Sequence, residues 1–498
     1  MKVIKILVVL LLAFVIVVMA GMAYLVNYLD DHKGLLERMA SDASGRQVRI
    51  EKGIAMNLSL LPSIAIKGLL VGNPEWLAKD AFIRAERAEL ELDILALLNR
   101  RLVVSEVKLE NADILLQISK DGKRNWQLDT KSTSGFAWAV DEFNAEKLRV
   151  HYLSDSQPVD VNITEIEVLG MGTDELSVDA DFTYKGLPVA IEMKSAFPAE
   201  PGKEIKFTDL KLKTAGRNFT GSLNIPLDEK RRASLKLAMQ KLDLTPLFET
   251  KAARVEDPYG LLKQQWPIDS LPNQDIDFQL DIGTMHIDEL AFRKVILKGS
   301  LINRNLQLEI SDQAENLAIK INLKPQGKQW QLQFVNKSKL GLGLLIDSRG
   351  AKDSRSQAPV TINIGLTGMG QSLFAMLASA EGHIDIIVGE GHLSEEVSEY
   401  LPMGSVLFSV LENSGPDKQK KQAQLECAVL HMDVSNGIGT SKETLALQTD
   451  LVNVLGGGAI KLDNGEIDLQ FRTLQRKGVG LSLKDMGSKY INLRGTLD

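Results

Sequence analysis

For most of its length this chain alternates apolar and polar residues with a period of two, the pattern of strands buried on one face. Ile54, Met56, Leu58 and Leu60 begin it, Ile64 and Ile66 continue it after Pro62, and Leu69 and Val71 lead to the turn Gly72-Asn73-Pro74. Ala88, Leu90 and Leu92 are interleaved with Arg87, Glu89 and Glu91, which places the charges on the wet side of a strand. Val107 with Leu109, and then Ile114, Leu116 and Ile118, resume the pattern up to Asp121-Gly122. Trp126 and Leu128 are expected to bring the chain back as a hairpin.

The same theme recurs downstream. Ile276, Phe278 and Leu280, then Val295, Leu297 and Leu301 to Ile310, then Ile321, Leu323, Leu332 and Phe334 read as strands. Ile460 and Leu462, the turn Asp463-Asn464-Gly465, and Ile467, Leu469 and Phe471 predict an Asn-Gly hairpin with aligned apolar faces. Roughly twenty-five strands are expected in all, with few helices long enough to cover a sheet. Helical spacing is confined to short stretches: Leu35 to Ala43 stopped by Gly45, Ile94 to Leu98, Asp243 to Phe248, Gln371 to Ala380 and Ser394 to Leu411. The helix at 371–380 is expected to bury Leu373, Phe374 and Leu377. Residues 249–273 read as a linker or helical insertion.

Ahead of all this, Ile6 to Val26 is a run of twenty-one residues without a charge. As a helix it would be roughly 31 Å long, enough to cross the hydrocarbon of a bilayer. Lys2 and Lys5 precede it and Asp30 and Asp31 follow, so the N-terminus is expected in the cytoplasm and the body outside. A cleaved signal peptide is the alternative, with Gly21-Met22-Ala23 as a small-x-small site, although the apolar core exceeds the usual 7–15 residues.

Composition removes several classes of function. A net charge of −7 with both signs interspersed leaves no basic footprint for nucleic acid. One cysteine, Cys427, cannot form an internal disulfide, and it reads as a small buried hydrophobe. The six histidines are scattered and fall in no H-E-x-x-H or cysteine–histidine metal pattern. No nucleophile elbow or phosphate loop occurs. His383, two residues before Asp385 on an expected strand, is the nearest approach to an acid–base pair and reads as a surface pair. Gly456-Gly457-Gly458 precedes no helix start and reads as a strand-to-strand turn. The chain is expected not to be an enzyme, and to hold no metal or cofactor.

Each one-faced sheet needs something over its apolar side. Another sheet would give sandwiches or barrels. Alternatively, one long sheet curls into a trough whose lining holds lipid tails. Periodicity is the same for both.

The residues from Ser44 to Asp129 resemble the N-terminal module of the AsmA family. The likeness is carried by Ser-Gly-Arg-Gln-Val-Arg-Ile-Glu (44–51), Asn-Leu-Ser-Leu-Leu-Pro-Ser-Ile-Ala-Ile-Lys-Gly-Leu (57–69), Phe82-Ile-Arg-Ala-Glu-Arg-Ala-Glu-Leu, Asp93-Ile-Leu-Ala-Leu-Leu98, Leu109-Glu-Asn-Ala-Asp113 and Asp121-Gly-Lys-Arg-Asn-Trp126. Leu377 to Leu393, Leu425-Glu-Cys-Ala-Val429, Val434-Ser-Asn-Gly437, Gly457 to Leu469, Phe471-Arg-Thr473 and Leu493-Arg-Gly-Thr-Leu497 are similar, in order, to the family's C-terminal module. The middle, roughly 140–370, is less diagnostic.

The resemblance implies a mainly β protein: an N-terminal transmembrane helix, then an elongated, curled antiparallel β-sheet forming a groove, with a few short helices. It divides the chain into an anchor (1–28), an AsmA N-terminal β module (29–135), a central β-rich region (136–370) with a helical insertion near 245–273, and an AsmA C-terminal-like β module (371–498). It implies an inner-membrane protein with a periplasmic body, supporting phospholipid transport between the inner and outer membranes and outer-membrane homeostasis. Phospholipids, the inner membrane and outer-membrane or envelope proteins are the implied partners. The lipid-groove candidates are Met56, Leu58, Leu60, Ile64, Ile66, Leu90, Leu92, Ile114 and Leu116. The competing reading is a non-catalytic periplasmic scaffold that assists outer-membrane protein assembly through exposed strand edges.

Overall fold

The structure, a computed structural model, describes residues 33–57, 63–77, 81–92, 104–119, 121, 123–127, 140–153, 158–171, 175–184, 186–196, 204–226, 232–244, 260–266, 275–287, 290–312, 316–341, 358–394, 422–450, 452–475 and 491–496. The apolar run Ile6–Val26 lies outside them, as do residues 93–103, 245–259 and 395–421. Among the described residues no helix is long and apolar enough to cross a membrane. The chain forms two compact units, Met1–Arg231 and Arg232–Asp498.

The first unit is one sheet in which each strand pairs with the next in sequence. Its strands are β1 (Val48–Asn57), β2 (Ser63–Gly72), β3 (Ala81–Leu92), β4 (Val104–Gln117), β5 (Glu142–Leu153), β6 (Val159–Leu169), β7 (Glu175–Tyr184), β8 (Leu187–Ala196), β9 (Glu204–Thr214) and β10 (Arg217–Pro226). All the pairs are antiparallel except β4 with β5. Among the described residues one helix, α1 (Lys33–Ser44), precedes the sheet. Its side chains close the outer edge of β1: Val48 N–H donates to Ser41 Oγ at 2.9 Å and Ile50 N–H to Glu37 Oε1 at 2.6 Å. An edge satisfied in this way offers no template for another strand.

After β4 the chain turns back in a short antiparallel hairpin: Ile118 bridges Arg124, Ser119 N–H donates to the Lys123 carbonyl at 2.8 Å, and Asn125 N–H donates to the Gln117 carbonyl at 3.0 Å. The expected continuation to Leu128 lies outside the described residues, and the next named neighbour of β4 is β5, in parallel.

The second unit is again one sheet. Its strands are β11 (Ala233–Asp243), β12 (Ile276–Ile287), β13 (Leu290–Ile302), β14 (Asn305–Asp312), β15 (Ala318–Gln326), β16 (Gln329–Asn336), β17 (Lys339–Gly341), β18 (Pro359–Gly370), β19 (Glu381–Val388), β20 (Gly391–Ser394), β21 (Gln422–Ser435), β22 (Ile438–Thr449), β23 (Val452–Lys461), β24 (Glu466–Gln475) and β25 (Ile491–Thr496). The parallel pair β11–β12 is joined by a long crossover that includes α2 (Gly260–Lys263). The short β17 continues β16 along the edge of β18, and β20 continues β19 along β21.

The Asn-Gly hairpin is present between β23 and β24, with Ile460 opposite Ile467 and Gly465 at φ 66°. The triple glycine is not a turn but the middle of β23. Its lack of side chains is used for close approach. A Cβ on Gly456 would stand 2.2 Å from the Phe471 ring, and one on Gly457 would stand 2.5 Å from the Ser441 carbonyl oxygen. The helix expected at 371–380 is α3 (Leu373–Ala378), with the Ser372 hydroxyl accepting from Ala375 N–H as N-cap. Its fully buried residue is Met376, while Leu373, Phe374 and Leu377 are only half-buried. Cys427 is likewise half-buried, because it stands at a register shift between β21 and β22.

Candidate functional site

Period-two alternation becomes a surface property once the registers are known. In the first unit an unbroken cross-strand row passes through every strand: Met56, Ile64, Leu90, Val107, Phe143, Val168, Val178, Met193, Leu210 and Gly221. A second runs beside it through Ile54, Ile66, Ala88, Leu109, Ala145, Ile166, Ala180, Ile191, Leu212 and Phe219. One residue away along the strands, on the opposite face, the row reads Glu89, Lys108, Asn144, Glu167, Asp179, Glu192, Lys211 and Thr220.

The apolar face packs laterally. Ala85, Ala88, Leu109, Ala112, Ala145 and Leu148 are buried beneath Ile66, Leu69, Val107, Ile114, Phe143, Val150, Ile163 and Ile166, and every one of these residues comes from β2 to β6. The large side chains that do the covering are themselves half-buried. A sandwich would hide such residues against a second sheet, at about 1.5–3 kcal/mol for each large side chain. Among the described residues no helix lies across β2 to β10.

The sequence-derived candidates fall on this face where they are described. Ile64 and Leu90 share the first row, Ile66 is in the second, Ile114 pairs with Val150, and Leu116 pairs with Tyr152; all five are half-buried. Met56 and Leu92 pair with Ile64 and Val104, and Leu58 and Leu60 lie outside the described residues. Sequence reasoning missed the continuation of the rows through Phe143, Ile163, Ile166 and Val168. Their alternation was visible, but only the register shows that they extend the same face.

The charged face is held by ion pairs between neighbouring strands. Lys211 Nζ stands 2.9 Å from Glu192 Oε2; it keeps that carboxyl below its usual range, and the carboxylate in turn raises the ammonium. Glu89 accepts from the Ser63 hydroxyl and from Arg87, and both bonds lower its pKa.

One end of the first unit is closed by polar groups. Asn125 is fully buried. Its Nδ2 donates to Asn73 Oδ1 (2.8 Å) and to the Leu115 carbonyl (2.7 Å), and its Oδ1 accepts from Gln117 N–H (2.8 Å). Buried Arg46 donates through Nη2 to the carbonyls of Asn125 (3.1 Å) and Gln127 (2.8 Å). Arg46 and Asn125 come from two separate segments of the quoted resemblance, Ser44–Glu51 and Asp121–Trp126, which meet here in space.

In the second unit the apolar rows recur. One runs through Phe278, Gly299, Leu308, Ile321, Phe334, Leu366 and Gly382. Here the face is roofed. A Cβ on Gly368 would stand 2.0 Å from Met376 O, and one on Gly370 would stand 2.6 Å from Ala375 Cβ, so two alternate glycines of β18 admit the backbone of α3. Ser379 Oγ fastens the far end of that helix to the Met369 backbone, accepting from N–H (2.8 Å) and donating to C=O (2.7 Å).

A strap completes the roof. Trp266 N–H donates to the Gln371 carbonyl at 2.8 Å, and the Trp266 carbonyl accepts from the indole of buried Trp330 at 2.8 Å. Beneath lies a cavity of about 720 Å³ lined by Gln264, Gln265, Trp266, Leu306, Leu308, Ile321, Leu323, Trp330, Leu332, Phe334, Leu366, Leu373 and Leu377.

His383 and Asp385 do share a face on β19, and the structure adds a partner from β21. His431 Nδ1 is 2.5 Å from Asp385 Oδ1, Asn363 Nδ2 donates to Oδ2 at 2.9 Å, and His383 Nε2 stands 3.9 Å from Oδ2. The bond to His431 is the main cause that lowers the Asp385 pKa, and the same bond raises that of His431. Among the described residues no three His, Cys, Asp or Glu side chains are grouped to hold a metal ion.

Compared with known families, the chain matches the AsmA family over residues 1–171. This part is an AsmA family domain. It contains β1 to β6, the Ala85–Leu148 cluster and the Arg46–Asn125 network, so the first six strands of the apolar face are AsmA structure. The segments of C-terminal resemblance lie beyond the match. Comparison with curated proteins and with solved structures returns no match.

Proposed function

We propose that this is an inner-membrane-anchored envelope protein that supports phospholipid movement between the inner and outer membranes along its apolar β face. The observation that carries the reading is the pair of unbroken apolar rows through all ten strands of the first unit, the first of them half-buried from Ile64 to Met193, with a charged row one residue away. A face of this size without a covering layer among the described residues is unusual on a soluble monomer and marks a binding surface. Acyl chains match its chemistry, since each buried methylene gains about 0.8 kcal/mol and no specific hydrogen bond is demanded of the wall. Ile64, Ile66, Leu90, Ile114 and Leu116 would touch the tails while headgroups stay at the open side. The AsmA domain supports this reading, and the run Ile6–Val26 would fix the first strands beside the leaflet that supplies lipid.

The test is mass spectrometry of lipid carried by the purified full chain. Phospholipid is expected to co-purify, and Leu90→Asp in the first row should reduce it at unchanged expression. A chain that carries no lipid, takes up none from vesicles, and cross-links instead to a stoichiometric protein partner would replace this reading with the scaffold.

A further inference from the structure

The cavity beneath the strap differs from the rows of the first unit in lying between two layers, with its strap side open to solvent. Its floor is the apolar face of β14 to β18, and its roof is α3 with residues 264–266. Its volume lies within the usual range for sites that take one small ligand, about 300–1,000 Å³. The polar groups are unevenly placed. Nine lining residues are aliphatic or Phe and two are Trp; the remaining polar side chains are the carboxamides of Gln264 and Gln265, both on the strap. Among the described residues no charged side chain lines it.

That chemistry selects among lipids. A hydrocarbon chain fits the floor. A carboxamide donates to a carbonyl oxygen, as the ester at the head of an acyl chain requires. A free carboxylate would find no counter-charge among the described lining residues. We propose that the strap pocket holds one acyl chain of an esterified lipid, with hydrocarbon on the leucines and ester oxygens at Gln264 and Gln265. The inference rests on the lipid reading above and makes this point of the second unit a place where lipid is retained.

Native tryptophans supply the probe. Of the five, Trp266 and Trp330 line this pocket and Trp330 is the buried one, whereas Trp126 stands 6.5 Å from Tyr152, the row partner of Leu116 in the first unit. Full-chain variants that keep either Trp126 or Trp330, with the other four changed to Phe, are titrated with phosphatidylcholine brominated along its tails. Unbrominated lipid serves as the control. Trp330's share is also read as the difference between the native chain and W330F. Both residues should lose most of their emission, and Leu323→Phe or Leu308→Phe, which fill the pocket, should protect Trp330 and leave Trp126 quenched. Quenching of Trp126 without Trp330 overturns the pocket and leaves the lipid face standing. Quenching of neither overturns both. Brominated free fatty acid that quenches Trp330 at equal or lower concentration overturns the selection for ester.

Discussion

The two units share one construction and finish it differently. In the first, the apolar face is open across β2 to β10 among the described residues, and polar devices close its borders: α1 along β1 and the Arg46–Asn125 network at one end. In the second, the same kind of face receives a helix and a strap. The difference does not lie in hydrophobicity, because both faces are built of Leu, Ile, Val and Phe in register. It lies in two positions of β18. Gly368 and Gly370 pair with Leu332 and Trp330, and their missing side chains leave room for a helix backbone on the apolar side. In β2 to β6 the alternate positions of the two rows carry side chains, from Ala88 and Ala145 to Leu90 and Phe143, and larger neighbours overhang the alanines, so a helix backbone has no such gap to enter. The lesson is local: small residues at alternate positions decide where a lipid-facing sheet is covered.

The largest expected effect is in the first unit. Asn125→Ala removes three side-chain hydrogen bonds and takes from the half-buried Gln117 N–H and Leu115 carbonyl the partner that Asn125 supplies. A loss of about 4 kcal/mol is expected, since each orphaned buried group costs on the order of 1–3 kcal/mol and networks lose more than isolated bonds. Hydrogen exchange should speed at Gln117 and Gly72 while the strands of the second unit keep their protection. Equal loss in both units would mean that the network does not belong to the first alone.

The second unit has its counterpart in Gly368→Val. Its Cβ would meet the Met376 carbonyl oxygen at 2.0 Å, where the neighbour is backbone and cannot rotate away. Overpacking of this kind costs about 3 kcal/mol. The amides of Met376 and Ala380, bonded to Ser372 and Leu377, should lose protection first, and the strap should follow. If α3 keeps its protection, the glycine is not what admits the helix.

These two sites also show where reading the sequence stops. Alternation placed Ile64, Ile66, Leu90, Ile114 and Leu116 on one face, because a period of two fixes sides without any tertiary information. Beyond Ala88 it could not find the alanine floor of Ala85, Ala112 and Ala145, since alanine is neutral in the pattern and becomes core only when larger neighbours overhang it. Asp121–Trp126 was read as a hairpin and a short one is present, but alternation gave no sign that Asn125 turns inward from it to bind Asn73, Leu115 and Gln117. Trp266 fell in a stretch that read as linker, because its role depends on Trp330, 64 residues away. Gly456–Gly458 suggested a turn, although the glycines serve close approach within β23.

A smaller effect is expected at the border of the first unit. Glu37→Ala leaves Ile50 N–H without its carboxylate and opens part of the β1 edge. About 1 kcal/mol should be lost, read as faster exchange at Ile50, and light scattering should show more self-association as the edge becomes available. Unchanged exchange would show that water replaces the carboxylate and that α1 does not guard the edge.

The smallest effect separates the units by pH. His431 and Asp385 form a partly exposed pair in the second, so its worth is at most about 1 kcal/mol. Asp385 is lowered, so its contribution is present above the ordinary carboxylate pKa and lost as pH falls through its depressed value. His431 is raised, so its contribution is complete below the ordinary imidazole pKa and lost as pH rises through its elevated value. Both hold between about pH 4 and pH 6.5, which is where the pair stabilises. His431→Gln should therefore cost most near pH ~5.5 and almost nothing by pH ~9. Exchange at β19 and β21 measures it, with the first unit as internal reference, and a cost independent of pH would show that the pair acts as a neutral hydrogen bond.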